Sequence, residues 1–431
     1  MDLSVVTLVA SFVLLLAINV PIAIAIGIAT ALTMLFTISP MPALTTVAQR
    51  MATGINSFTL LAIPFFILSG QLMGRGGIAR RLIDLAKAVV GMLPGGLAYV
   101  NVLACMFFGA ISGSAAAATS AIGGFMIPVM KKEGYDTNFS TAVTVTGATT
   151  GLLIPPSNIL IVYSLASGGV SIAALFIAGY IPGFLLGVGL MVVAAALSLR
   201  NKYPVAEKVG FVESLRRLLE AIPSLLLVVI VIGGIIAGFF TATEASAIAV
   251  LYAFFLSVVI YREVKLKELP DVLLKTVETT AIVMLLIGTS SGMSWILSYE
   301  NIPQNVTAAM IGLSDSKLII LLLINLVLLI VGTFMDMTPA VLIFTPIFLP
   351  VVVRLGMSPL HFGIVLVMNL CIGLCTPPVG SVLFLGCSVG QTSIARMVRV
   401  LIPFYIGMIV VLMLVTYVPW FSLFLPKVFG Y

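Results

Sequence analysis

The sequence predicts an all-α polytopic membrane protein: an inverted repeat with two re-entrant helical hairpins and two broken transmembrane helices. Three observations lead there. Hydrophobic residues make up 61% of the chain and charged residues only 8%; two apolar helices are interrupted by double prolines; and the sequence around one double proline recurs around the other. No aqueous core is large enough to hide that much apolar surface.

The runs 3–20 and 21–38, divided at Asn19-Val20-Pro21, are each near the ~20 residues a crossing needs. No cationic region or small-residue cleavage site precedes the second run, so the first helix is expected to be retained rather than removed as a signal. A third run covers 56–74. From Arg75 to Lys87, Ile78, Leu82 and Leu85 share one face and the cations lie mostly on the other, the pattern of a helix lying in the membrane interface. The region 95–130 is too long for one crossing and is interrupted at Gly109-Ala110-Ile111-Ser112-Gly113-Ser114. Its arms of about fifteen residues would reach about 22 Å against a ~30 Å hydrocarbon core, which predicts a re-entrant hairpin with its tip at membrane depth.

A broken helix is expected over 138–167, pierced at Gly151-Leu152-Leu153-Ile154-Pro155-Pro156-Ser157-Asn158. A proline has no N–H for the carbonyl four residues back and pushes it aside, so the pair releases the oxygens of Gly151 and Leu152. Hydrocarbon offers such oxygens no partner; only protein, water or an ion satisfies them. Two matched breaks of this kind point to a transporter. A long helix at 171–199, a polar linker at 200–220, and helices at 222–239 and 243–261 follow. A charged linker, Arg262 to Lys275, leads to a helix at 278–297 and an amphipathic connector at 301–314. The second hairpin, 317–353, is interrupted at Gly332-Thr333-Phe334-Met335-Asp336-Met337-Thr338-Pro339. The second broken helix, 359–389, carries Gly373-Leu374-Cys375-Thr376-Pro377-Pro378-Val379-Gly380, where the released oxygens belong to Gly373 and Leu374. A helix at 400–425 ends the chain.

At an offset of 222, twelve of the 45 positions from 128 to 172 are identical, among them Pro128 and Pro350, Gly134 and Gly356, Gly151 and Gly373, and both proline pairs. With re-entrant hairpins and an outer N-terminus, all but Arg50, Lys317, Arg354 and Lys427 of the 21 basic residues fall on one face. That face is cytoplasmic by the positive-inside rule. The first hairpin then opens to the cytoplasm and the second to the outside, which makes the repeat inverted and puts both termini outside.

The two tips and the two breaks meet near the midplane in this arrangement. Hydroxyls and carbonyls supply oxygen ligands for a small hard cation such as Na⁺, and helix N-termini suit a carboxylate. Ser112 and Ser114 with Gly151, Ile154 and Ser157 form one candidate Na⁺ site; Gly332 and Asp336 with Gly373, Thr376 and Val379 form another. Ser114, Ser157, Asn158, Asp336, Thr338, Gly380 and Ser381 are the candidate substrate residues. The two serines have a plainer reading as small residues in close helix packing. Asp336 has three readings: cation ligand, substrate ligand, or cap of the half-helix that starts at Thr338-Pro339. Glu244 reads as a first-turn carboxylate facing its helix dipole. Cys105, Cys371, Cys375 and Cys387 lie in apolar segments and read as buried packing rather than disulfides or metal ligands. His361 is the only histidine and a poor proton relay, so hydrolytic dyads and zinc sites have little to work with. With no Walker A or HExxH pattern, an ATPase and a metalloprotease are also disfavoured; no enzyme activity and no nucleic-acid partner is expected.

The stretch Gly233-Gly234-Ile235-Ile236-Ala237-Gly238-Phe239-Phe240-Thr241-Ala242-Thr243-Glu244-Ala245, the tip Ser112-Gly113-Ser114 and the paired prolines resemble the large membrane subunit of tripartite ATP-independent periplasmic (TRAP) transporters, over essentially the whole chain. The family usually has Pro where this chain has Ala242. The resemblance implies a Na⁺-driven, elevator-type transporter of organic acids such as C4-dicarboxylates, sialic acid or other carboxylated sugars, in the bacterial inner membrane. It also implies a small four-helix membrane subunit and a periplasmic substrate-binding protein as partners. In an elevator, residues 91–170 and 317–390 would move as a transport core, while 1–90, 171–316 and 391–431 would form the scaffold, with interfacial arms at 76–90 and 301–314. Two alternatives remain: a stand-alone Na⁺/dicarboxylate symporter, and a channel or non-transporting scaffold.

Overall fold

The computed structural model describes residues 3–204, 210–314 and 316–431. Lys208, one of the basic residues assigned to the cytoplasmic face, lies outside them. Among the described residues there is no β-strand, and eight helical stretches among them are long and apolar enough to cross a membrane.

The chain opens with α1 (Leu3–Ala17) and α2 (Ile22–Thr37), which pack together. Next comes α3 (Pro40–Ile55), a helix the sequence reading does not contain. Pro40 and Pro42 look like breakers there, yet both fall in the first turn, where the amide is unpaired anyway. α4 (Ala62–Arg75) and the interfacial α5 (Ile78–Val90) follow, and α5 buries Ile78, Leu82, Ile83, Leu85 and Ala86 as its apolar face. The first hairpin is α6 (Gly96–Ser112) and α7 (Ala115–Lys132); the first broken helix is α8 (Thr137–Thr150) and α9 (Asn158–Ala166). α10 (Ile172–Arg200) runs unbroken.

Both expected linkers are shorter than the sequence suggested. α11 (Phe211–Ile236) starts inside the first, where the ion pairs Arg217–Glu213 and Arg216–Glu220 span one turn and support a helix of charged residues. After α12 (Ala242–Phe254), continued by a π-helical turn Phe255–Ile260, α13 (Leu269–Tyr299) takes up part of the second linker, with a proline in its first turn. Glu244 does cap α12, exchanging hydrogen bonds with Thr241 in a capping box. α14 (Ile302–Leu313) is the connector; α15 (Lys317–Phe334) and α16 (Met337–Arg354) form the second hairpin; α17 (Pro359–Leu374) and α18 (Ser381–Val389) form the second broken helix. The expected single terminal helix is two, α19 (Ile394–Tyr417) and α20 (Trp420–Val428), because Pro419 ends the first.

The hairpin arms also differ from expectation. They hold 17 residues in α6 and 18 in each of α7, α15 and α16, or about 26 Å each at 1.5 Å per residue. α15 and α16 are themselves long and apolar enough to cross, so arm length does not separate a re-entrant hairpin from a full one.

The centre of the molecule is where α8 meets α17. Every residue from Phe139 to Thr150 and from His361 to Leu374 is buried. Cys371 donates its thiol hydrogen to Thr149 O at 3.3 Å, and these two residues stand at the same place in the two halves. Matching positions elsewhere behave alike: Gly134 and Gly356 both have positive φ, and both proline–proline bonds are cis. Asp136 and Ser358 occupy the N-cap positions of α8 and α17. His361, near the start of α17, is 1% exposed and contacts Thr416 O at 3.2 Å. All four cysteines are free and buried.

Candidate functional site

Each hairpin crosses its broken helix at glycine. A Cβ on Gly109 of α6 would stand 2.6 Å from Gly151 Cα, and one on Gly332 of α15 would stand 3.1 Å from Gly373 Cα. Real carbon contacts lie near 3.5–4 Å, so the absence of a side chain lets each tip reach its break. That fixes the two tips beside the two breaks, around one cavity of about 700 Å³.

Ser112, Gly113 and Ser114 line the cavity from the first tip, Asp336, Met337 and Thr338 from the second. Leu152 and Asn158 come from the first break, Leu374 and Ser381 from the second. Ser114 and Asp336 occupy equivalent positions at the offset of 222 and do different things. Ser114 caps α7, its hydroxyl accepting from the Ala117 amide at 3.2 Å. Asp336 holds the N-cap position of α16 but makes no side-chain capping bond, and its residue is exposed to the cavity. The capping bond expected of Asp336 is not formed, and the backbone amide beside its carboxylate is that of Met337. Asn158 Oδ1 is buried and has no hydrogen-bond partner among the described residues, on the same cavity wall. A buried carbonyl oxygen in that condition marks a place for a donor or a cation.

Other candidates stand behind the wall. Ser157 is fully buried, and its hydroxyl donates to Leu152 O at 2.5 Å. Gly151 is held against Gly109, and Gly373 against Gly332. Ile154 packs at Gly183 of α10. The Thr376 hydroxyl donates to Ile372 O at 2.6 Å, the Gly380 amide donates to Thr333 O at 3.1 Å, and Val379 is 42% exposed. Of the four oxygens displaced from helical bonding, protein satisfies two: Leu152 O takes the Ser157 hydroxyl, and Gly373 O takes the Thr376 amide at 2.9 Å. The chain turns back tightly enough at each break to put a downstream donor on an upstream oxygen. A further break carbonyl, Cys375 O, accepts from Tyr405 of α19 at 2.6 Å.

The fourth side of the cavity was not foreseen. Gly70, Gln71, Gly74 and Arg75 of α4 line it, with Thr279 and Val283 of α13. At Gly70 a Cβ would come within 2.8 Å of Ser112 O, so α4 lies directly on the first tip. The two glycines four residues apart are the sequence signal for that close approach. Among the lining residues only Arg75 and Asp336 are charged.

The family model for the DctM component of tripartite ATP-independent periplasmic transporters matches residues 9–421. The chain belongs to this family. Similarity to individual TRAP permeases runs the same length. A large permease named for C4-dicarboxylate in Rhodobacter capsulatus is 39% identical over 96% of each chain, and one named for sialic acid in Vibrio cholerae is 40% identical over 89% of this chain and 90% of its own. A Salmonella typhimurium protein named only as uncharacterized, YgiK, is 53% identical over 99% of this chain and 98% of its own. Among solved structures, the YdaH transporter of Alcanivorax borkumensis superimposes with a TM-score of 0.63 over 88% of both chains at 14% identity, a likeness of fold. The DctM-family chain is thus a multi-pass membrane permease component and not an enzyme.

Proposed function

We propose that this chain is the large membrane permease of a three-component system that takes up an organic acid across the bacterial inner membrane, driven by Na⁺. The observation that carries the reading is the convergence of both tips and both breaks on one cavity, with the Asp336 carboxylate and the unpartnered Asn158 Oδ1 on its wall. Oxygen donors without nitrogen or sulfur suit Na⁺, and the names of the relatives point to carboxylated solutes. Ser112, Ser114 and Asp336 are the residues best placed to hold Na⁺ at the cavity, with Asn158, Thr338 and Ser381 facing the solute. Gly151, Ile154, Ser157, Gly332, Gly373, Thr376, Val379 and Gly380 shape the breaks that carry them.

The hairpins are taken as re-entrant and the repeat as inverted, with both termini periplasmic. Transport then proceeds by an elevator in which 91–170 and 317–390 slide as one body. α10 and α19 pack on the broken helices, and α19 bonds the second break through Tyr405, so they travel with that body rather than with the scaffold. α5 touches both α6 and α11, and α14 touches both α13 and α16; each is placed to act as an arm between moving and fixed parts. A small membrane subunit and a periplasmic binding protein complete the system.

Uptake into proteoliposomes under an imposed Na⁺ gradient, with and without both partners, tests this. Succinate and N-acetylneuraminate are the first solutes to try. Na⁺-dependent uptake that needs the partners is expected; uptake by the chain alone would favour a stand-alone symporter, and accumulation indifferent to Na⁺ would contradict the coupling.

A further inference from the structure

The geometry points to Arg75 as an anion-binding subsite on the α4 side of the cavity, which takes a carboxylate of the transported acid when its counter-ion Asp271 lets go. This rests on the organic-acid reading above and adds to it a residue outside both tips and both breaks.

Arg75 closes α4 and lines the cavity together with Gln71, one turn earlier. It faces the compartment that also holds Asp336, and it is the one cation among the lining residues. Its Nη2 donates to Asp271 Oδ2 of α13 at 2.5 Å, with the two side chains 29% and 54% exposed. Lys275 also approaches Asp271, at 3.8 Å. The pair is therefore partly wet, and Asp271 has a second cation to fall back on. An exposed pair of this kind is weak enough to be exchanged, whereas the planar guanidinium fork offers an incoming carboxylate two parallel hydrogen bonds. Gly70 and Gly74, which line the cavity beside Arg75, add no side chains of their own to that wall. A solute carboxylate repelled by Asp336 meets a guanidinium on the α4 wall of the same cavity. Asp271 competes for that guanidinium and keeps the solute from being trapped there.

The native cysteines are all buried, so an introduced thiol reports alone. Gln71→Cys in the full chain, reconstituted in proteoliposomes, is labelled with the anionic 2-sulfonatoethyl and the cationic 2-(trimethylammonio)ethyl methanethiosulfonates, and the ratio of their rates is read. One nearby cation is expected to favour the anionic reagent by about fivefold. Adding Arg75→Gln should remove the preference, Arg75→Lys should keep most of it, and Asp271→Asn should raise it. That preference reports the field of Arg75 alone, so occupancy is read from protection: succinate or N-acetylneuraminate should slow labelling of Gln71→Cys and of its Arg75→Lys form but not of its Arg75→Gln form, whereas an ion pair that only ties α4 to α13 gives no protection in any of them, which overturns the subsite. The readout needs no transport, so it holds or fails independently of Na⁺-driven uptake.

Discussion

Replacing Gly109 by alanine tests the glycine crossings that bring tips and breaks together. The new Cβ would stand 2.6 Å from Gly151 Cα, about 1 Å inside ordinary carbon contact. The atom it meets is backbone, which cannot swing away as a flexible side chain does. α6 and the break must separate, at the ~1–3 kcal/mol typical of overpacking. Gly332→Ala meets Gly373 Cα at 3.1 Å, so a shift of a few tenths of an ångström suffices and the cost should be about 1 kcal/mol. At Gly124 of α7 an added methyl would find nothing within 4 Å, and alanine there should be neutral or gain up to ~1 kcal/mol of helix propensity. Thermal unfolding of the detergent-solubilised protein, read by size-exclusion chromatography, should rank Gly124→Ala at or above the unsubstituted protein, then Gly332→Ala, then Gly109→Ala. A Gly109→Ala protein as stable as Gly124→Ala would show that α6 and the first break do not touch.

Asp336→Asn should abolish Na⁺-dependent uptake while leaving expression and folding near normal, since Asp336 makes no capping bond to lose; unchanged Na⁺ dependence would remove it from the site. Ser157→Ala leaves Leu152 O without its hydroxyl donor, a loss of ~1–3 kcal/mol that thermal unfolding should register, together with a weakened Na⁺ dependence of uptake. Tyr405→Phe removes the donor to Cys375 O and should cost a similar ~1–3 kcal/mol; a stability equal to the unsubstituted protein would mean that α19 does not hold the second break.

Much of this architecture was legible because its causes are local. Proline cannot continue a helix, so Pro155-Pro156 and Pro377-Pro378 announced the breaks, and Gly113-Ser114 announced a tip. Element ends were harder. The charged stretch around Glu213 and Arg217 reads as a linker by polarity but folds as helix through pairs one turn apart, and Pro40 reads as a breaker but starts a helix. At the site, Ser112, Ser114, Asn158, Asp336, Thr338 and Ser381 line one cavity. Which carbonyls stay free was not legible: the Ser157 hydroxyl reaches Leu152 O only through the tight turn of the break, and the Tyr405 hydroxyl reaches Cys375 O only through tertiary folding. Arg75 and Gln71 were missed for the same reason: their helix reads as an ordinary crossing until it is seen lying on the Ser112 tip.

Na⁺ held by oxygen donors on the tips and breaks is what the transport reading requires. Equilibrium binding of radioactive sodium to the purified chain in nanodiscs tests it without any solute or partner. Saturable binding that is lost or strongly weakened by Asp336→Asn and by Ser112→Ala, and retained by Gly124→Ala, is predicted. Binding that survives both substitutions, or no saturable binding by the folded chain, would contradict it.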